Sequence, residues 1–209
     1  MWKRFRIFKI GGVWEYIISN SKFVALCLLM MFGILIGSLS LPNIPTEHID
    51  GLAESFLDFY NQRSQSEFFS IVLRSTLTSV LSLFAVYICG MFLFGSPLVI
   101  VTPFIRGLGM GLTCSYLYDA YGLKGTAFCL LILILPFYLS STVLLFACQD
   151  AFDFSRCMFC HYSKNQTVAL PATQLIRYHK RFVLYLLFTV LIGLIDGVFT
   201  FVFIHIFAF

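Results

Sequence analysis

Three charged side chains interrupt long apolar stretches of the sequence: Arg74, Arg106 and Asp196. Charges inside a bilayer are costly and mark candidate functional sites by default. At about 1.5 Å of rise per helical residue, Asp196 falls at nearly the depth of Arg74 and within snorkelling reach of Arg106. Two interpretations stay open, an ion or proton pathway and a structural ion pair that pins the last helix to an earlier hairpin. We prefer the ion pair, because proton relays usually contain several acids and histidines.

A second candidate is the sequence Cys157-Met158-Phe159-Cys160-His161, which formally matches the attachment motif for c-type haem. A zinc site would need about four ligands, and the only nearby addition is His179. We interpret the motif as a chance match and predict neither a metal nor a cofactor. The sequence also lacks the G-x-S-x-G, H-E-x-x-H and P-loop motifs of hydrolases and nucleotide-binding enzymes. We therefore predict no catalytic residues and a protein that is not an enzyme.

The composition indicates which elements hold these charges. The 209 residues are 59% hydrophobic and 11% charged, and the mean hydropathy is +0.90. Soluble proteins carry about 25% charged residues, so this chain has too little polar sequence to cover a soluble surface. We predict an all-α polytopic membrane protein that forms one integral membrane domain over residues 1–209.

Five apolar runs approach or exceed the roughly 20 residues that cross a bilayer as a helix. The predicted spans cover residues 23–41, 68–93, 97–118, 126–148 and 182–209. The third is interrupted by Pro97, Pro103, Arg106 and three glycines, so whether it is continuous or broken stays open. The remaining long segments are an outer segment at 42–67 and a cytoplasmic loop at 149–181.

The basic residues predict the orientation. Ten of the fourteen fall in two segments, before the first span and between the fourth and fifth: Lys3, Arg4, Arg6, Lys9, Lys22, Arg156, Lys164, Arg177, Lys180 and Arg181. Positive charge favours the cytoplasmic side, and five spans place both segments there. We predict a cytoplasmic N-terminus and an extracytoplasmic C-terminus.

The outer segment holds half of the acidic residues, and its apolar residues recur at helical spacing. We predict an amphipathic helix from Thr46 to Gln62, lying on the outer face between the first two spans. Its acidic side is a poor match for anionic lipid, so docking on the bundle or on a partner protein is favoured, with a plain connecting helix as the alternative. The candidate partner-binding residues are Glu47, Asp50, Glu54 and Asp58.

Small residues recur one helical turn apart in several spans. The pairs are Gly33 with Gly37, Gly107 with Gly111 and Gly193 with Gly197, and Ser75, Ser79 and Ser82 repeat the spacing in the second span. Such spacing lets helix backbones approach closely. Packing within the bundle is the default interpretation, and self-association is the alternative.

An ordered set of glycines and prolines extends from Gly90 to Ser155. It comprises Gly90, Gly95-Ser96-Pro97, Phe104-Ile105-Arg106-Gly107-Leu108-Gly109-Met110-Gly111, Tyr121-Gly122-Leu123-Lys124-Gly125, Leu135-Pro136 and Phe152-Asp153-Phe154-Ser155. This pattern resembles the stage II sporulation protein M family. By this resemblance, eight residues belong to the family motif: Gly90, Gly95, Pro97, Gly107, Gly111, Gly122, Gly125 and Pro136.

The resemblance implies a non-enzymatic scaffold in the cell membrane of endospore-forming bacteria. Such a scaffold recruits peptidoglycan-degrading enzymes for septal thinning and engulfment during sporulation. Its implied partners are other membrane proteins, the cell-wall hydrolases and the lipid bilayer, and no nucleic acid. A permease or channel subunit is the alternative, because Arg74, Arg106 and Asp196 fall within the predicted spans. The resemblance also allows it, since some members of the family occur beside transport components.

Overall fold

A computed structural model describes residues 21–41, 51, 54, 56–58, 61, 68–92, 95–163 and 172–203. Within these ranges the chain is helical and contains no strand. The helices are α1 (Ser21–Ser40), α2 (Phe68–Met91), α3 (Ser96–Phe128), a π-helical segment (Cys129–Ile134), α4 (Leu135–Ser163) and α5 (Ala172–Phe203). The predicted all-α fold is confirmed.

The outer surface of the bundle is apolar. Four helical stretches are long and apolar enough to cross a membrane: Ser21–Ser40, Phe68–Met91, Ser96–Phe159 and Thr173–Val202. Large side chains such as Leu39 and Phe69 are 72% and 73% exposed on them. A surface of this kind is solvated by acyl chains, because water would disfavour it strongly. The chain is a polytopic membrane protein.

The longest of the four stretches, Ser96–Phe159, contains 64 residues and folds back on itself. The backbone leaves helical geometry at Gly122, with φ 57° and ψ −132°, a conformation that only glycine adopts readily. Ser96 bonds Ser155, and Arg106 bonds Ser140, so the two legs run antiparallel. The stretch is therefore a hairpin whose tip is at Gly122.

The first leg of this hairpin is a continuous helix through the prolines and glycines that interrupt the third predicted span. Pro97 lies in the first turn of α3, where the missing N–H costs nothing. Pro103 is inside the helix and buried, yet Gly122 is the one position within α3 with non-helical angles. The glycines of this leg thus belong to a regular helix, and the break occurs beyond them.

The segment predicted to be a cytoplasmic loop, 149–181, is helical where the structure describes it. α4 continues to Ser163, and α5 begins at Ala172. Lys22 pairs with Asp153, and Arg181 pairs with Asp150. Hydropathy predicts that the spans end where charged residues begin. These two ion pairs hold the helices together beyond the predicted ends.

The helix directions follow from the contacts. Gly33 faces Phe104 and Gly37 faces Leu108, so α1 and α3 run parallel. Gly193 faces Thr76, and Tyr178 bonds Tyr87, so α2 and α5 run antiparallel. With the antiparallel hairpin, these are the directions that five alternating crossings require. The number of crossings and the side of each terminus stay predictions.

Candidate functional site

A cavity of about 650 Å³ lies between α2, α3, the π-helical segment, α4 and α5. All three charged residues predicted to lie within spans line it: Arg74 from α2, Arg106 from α3 and Asp196 from α5. The remaining wall combines serine and threonine hydroxyls with aliphatic side chains. The fold therefore gathers the intramembrane charges into one polar pocket inside an apolar bundle.

Arg106 is held by three serine hydroxyls. Its Nε donates to Ser141 Oγ at 3.2 Å, Nη1 to Ser82 Oγ at 3.3 Å and Nη2 to Ser140 Oγ at 2.6 Å. The Phe137 ring lies 5.6 Å from the guanidinium carbon. Within the described chain, the bonding partners of this cation are neutral. The hydroxyls fix its direction without cancelling its charge.

Asp196 is 1% exposed and accepts a hydrogen bond from Thr200 Oγ1 at 3.4 Å. Gly193, about one helical turn before Asp196 in α5, packs on Thr76 of α2. Thr76 in turn lies close to Arg74 along α2. Asp196 and Arg74 thus lie at one level of the bundle, as the rise per residue predicted. The ion pair and the ion pathway both stay predictions.

The π-helical segment Cys129–Ile134 ends two residues before Pro136 and forms part of the cavity wall. Proline lacks the N–H that would bond the carbonyl one turn earlier, and a widened turn accommodates this loss. Ile132, Leu133 and Phe137 from the same region also line the cavity. Pro136, a motif residue in the sequence, therefore shapes the wall of the site.

Sequence reasoning missed the serine cage on the α4 side. Ser140 is 9% exposed and Ser141 is 1% exposed. The available signal was a pair of adjacent serines inside an apolar span. The spacing of Ser75, Ser79 and Ser82 predicts a helix–helix packing face. In the structure, the Ser82 hydroxyl accepts a hydrogen bond from Arg106, and Ser79 Oγ lies 3.3 Å from Ser140 Oγ.

The glycine pairs of α1 and α3 interlock. A Cβ at Gly33 would overlap the carbonyl oxygen of Phe104, and a Cβ at Gly37 would overlap that of Leu108. A Cβ at Gly107 would in turn overlap the carbonyl oxygen of Met30, while Gly111 faces that of Ile34. The two backbones touch along this line, so these four glycines pack within one molecule.

Apart from Gly122 at the tip of the hairpin, the other motif glycines also lie at close approaches. A Cβ at Gly90 would overlap the hydroxyl of Tyr178, and one at Gly125 would overlap the carbonyl oxygen of Leu117. Gly95 lies in the turn before α3, and a Cβ there would overlap the carbonyl oxygen of Cys89. A Cβ at Gly197, which pairs with Gly193, would overlap a methyl group of Val72.

An aromatic stack joins α2, α4 and α5 at the end of the bundle predicted to be cytoplasmic. Tyr178 stacks between Tyr87 and Phe154, with ring centroids 5.4 Å and 4.4 Å away, and its hydroxyl donates to the carbonyl of Tyr87. Ser155 accepts a bond from Ser96 and donates to the carbonyl of Phe92. The turn between α2 and α3 is thereby fastened to α4.

The described part of the outer segment is helical and docks on the bundle. Phe56 is 6% exposed and contacts the rings of Tyr116, Tyr121 and Phe128, with centroids 5.6 to 6.3 Å away. Glu54 and Asp58 are exposed. The predicted partner-binding residues Glu47 and Asp50 lie outside the described residues.

The described portion of the Cys-x-x-Cys-His motif contains no metal-binding geometry. Cys157 is exposed, and its thiol lies 3.3 Å from Gln174 Oε1. The side chains of Cys160 and His161 lie outside what the structure describes. Among the described residues, no three histidine, cysteine, aspartate or glutamate side chains converge.

The helical bundle, its apolar surface and its buried charged cavity define a multi-pass α-helical membrane protein. A family model described as Stage II sporulation protein M matches residues 15–201. Since the match covers most of the 209 residues, the chain belongs to the stage II sporulation protein M family, and the resemblance seen in its sequence is confirmed. A search of curated proteins and a search of solved structures found no match.

Proposed function

We propose that this sporulation-related membrane protein is a non-enzymatic scaffold that recruits peptidoglycan-degrading enzymes for septal thinning and engulfment. The observation that carries the proposal is the outer segment, which presents exposed Glu54 and Asp58 while Phe56 fastens it to the bundle. A partner surface rich in lysine or arginine complements this acidic face.

Anchoring matters because a docking surface binds more tightly when its backbone is already ordered. The Phe56 side chain is inserted among three aromatic rings at the tip of the α3–α4 hairpin. The two acids beside it, Glu54 and Asp58, are therefore held on an anchored platform. In the predicted topology this platform faces the peptidoglycan side of the membrane.

The test reverses the charge of the platform in the full chain. In the double variant Glu54→Lys/Asp58→Lys, capture of the hydrolases from sporulating cells should fall about tenfold or more, because like charges at an interface cost several kcal/mol. Asp119→Lys is the matched control, since Asp119 is an exposed acid of α3, close to the break at Gly122 and outside the outer segment. Unchanged capture by the folded double variant would exclude this face as the docking surface.

A permease or channel subunit is the second candidate, favoured by the cavity that contains Arg74, Arg106 and Asp196. If this cavity conducts ions or protons, Asp196→Asn should abolish flux through proteoliposomes at an unchanged protein level. Thr200→Val is the control, because it removes the neighbouring hydroxyl and keeps the carboxylate. A variant that retains its flux, or that only loses abundance, argues for a structural carboxylate.

A further inference from the structure

The serine cage leaves the charge of Arg106 uncompensated by its own bonding partners. Each guanidinium nitrogen donates to a neutral hydroxyl: Ser141, Ser82 and Ser140. A buried ion is costly unless an opposite charge accompanies it. The Ser82 hydroxyl already donates its proton to the carbonyl oxygen of Ser79. The Ser140 and Ser141 hydroxyls still have a proton to donate, since the Ser79 hydroxyl can be the donor in its bond with Ser140. The cage therefore combines a fixed cation with additional hydrogen-bond donors, and this combination suits an anion.

The formal charge of the cavity indicates how many negative charges it accommodates. Arg74 and Arg106 contribute two positive charges and Asp196 one negative charge, which leaves one positive charge. One singly charged oxyanion, such as a phosphodiester, would neutralise the pocket. Guanidinium groups match the geometry of phosphate oxygens and bind them with paired donors.

The mouth of the cavity opens on the surface of α2 that carries apolar side chains. Leu77 is 64% exposed there, and Arg74 and Thr78 beside it are also exposed. Deeper in the pocket, Ile71 and Ile192 supply an apolar wall. A ligand that fits has a polar anionic end and an apolar remainder, and it enters from the side.

The depth of the mouth suits a lipid of the outer leaflet. Arg74 lies six residues beyond Phe68, the start of α2, and so about 9 Å below the predicted outer surface. A cavity of about 650 Å³ is within the range of small-molecule sites, roughly 300–1,000 Å³. It has room for a headgroup and the first part of a chain while the rest of the lipid stays in the bilayer.

We propose that this cavity is a binding site for one singly charged oxyanion, the phosphodiester headgroup of an anionic phospholipid that enters laterally between α2 and α4. Arg106 and Ser140 hold the oxyanion, Ser82 and Ser141 orient the guanidinium from behind, and Arg74 guides the anion at the mouth. A free phosphate shares this chemistry and would enter from water. The proposal is independent of hydrolase recruitment, which involves the outer segment.

Native mass spectrometry of the full chain in detergent tests the site, with phosphatidylglycerol and phosphatidylcholine offered at equal concentration. The wild type should retain one phosphatidylglycerol in preference to phosphatidylcholine. Arg106→Gln should lower this preference about tenfold or more, because a hydrogen bond to a charged group is worth about 1.5–3 kcal/mol. Arg177→Gln is the control, since Arg177 is an exposed arginine of α5 away from the cavity.

Two further arms separate loss of the site from loss of the fold and identify the source of the anion. Leu77→Trp alters an exposed side chain at the mouth and should reduce lipid retention while the unfolding temperature stays unchanged. Inorganic phosphate should not displace the lipid or raise the unfolding temperature. Stabilisation by phosphate alone would retain the oxyanion site and overturn the lateral lipid route. Equal retention of phosphatidylglycerol by the wild type, Arg106→Gln and Leu77→Trp would overturn the proposal.

Discussion

At the residue scale, Gly107 and Gly109 of α3 have different surroundings. A Cβ at Gly107 would overlap the carbonyl oxygen of Met30, whereas a Cβ at Gly109 would meet nothing within 4 Å. Both lie in the same regular helix, so they share the same intrinsic helix propensity. The difference between them isolates the value of the close contact between α1 and α3.

Gly107→Ala should lower the free energy of unfolding by about 1–3 kcal/mol, because the two backbones must move apart to admit the methyl group. Gly109→Ala should leave the free energy of unfolding unchanged or raise it by up to about 1 kcal/mol, because its methyl group meets open space and alanine has the higher helix propensity. Reversible unfolding in mixed micelles measures both. Equal losses in the two variants would show that this backbone contact contributes no stability.

Some site residues could be predicted from the sequence and others could not. Arg74, Arg106 and Asp196 stand out because a charge in an apolar run is rare. Ser140 and Ser141 do not, because serine is common in membrane helices and its role depends on what faces it. The cage around Arg106 arises only when α2, α3 and α4 come together, which no single stretch of sequence records.

At the scale of elements, the interface of α2 and α5 depends on a second close approach. A Cβ at Gly193 would overlap the Thr76 hydroxyl, a buried group with no hydrogen-bond partner among the described residues. Removing that hydroxyl makes room for a methyl group at position 193 and breaks no hydrogen bond. The two positions are therefore expected to be coupled.

In this double-mutant cycle, Gly193→Ala should cost about 1–3 kcal/mol of unfolding free energy, and Thr76→Ala should cost nothing or stabilise. The combination should recover at least half of the loss, with a coupling energy of about 0.5–3 kcal/mol. Thermal or denaturant unfolding of the four proteins measures the cycle. Strictly additive effects would contradict the contact.

Hydropathy located the cores of the helices but not their ends. It reports where charge begins, and α4 and α5 continue past that point, held by the Lys22–Asp153 and Arg181–Asp150 pairs. Hydropathy also does not predict the π-helical segment before Pro136, because a π-helix is defined by its backbone hydrogen bonds and not by its apolar residues. Prolines and glycines in the third predicted span leave its continuity open in the sequence, yet in the structure they belong to a continuous helix, and Gly107 and Gly111 pack against α1.

At the scale of the whole molecule, the relative directions of the helices match the charge pattern of the sequence. The contacts make α1 parallel to α3, and both antiparallel to α4. The positive-inside rule, which uses no helix contacts, predicts the same alternation. We therefore predict that the acidic outer segment and the basic helix ends lie on opposite sides of the membrane.

The proposed function requires the outer segment to lie outside the cell, because hydrolases recruited by its acidic face can reach peptidoglycan only there. Labelling with a membrane-impermeant maleimide, followed by peptide mass spectrometry, tests it most directly. A cysteine introduced as Glu54→Cys should label in intact cells, and the exposed native Cys157 should label only after permeabilisation. Labelling of Cys157 in intact cells, with Glu54→Cys protected until permeabilisation, would contradict the account.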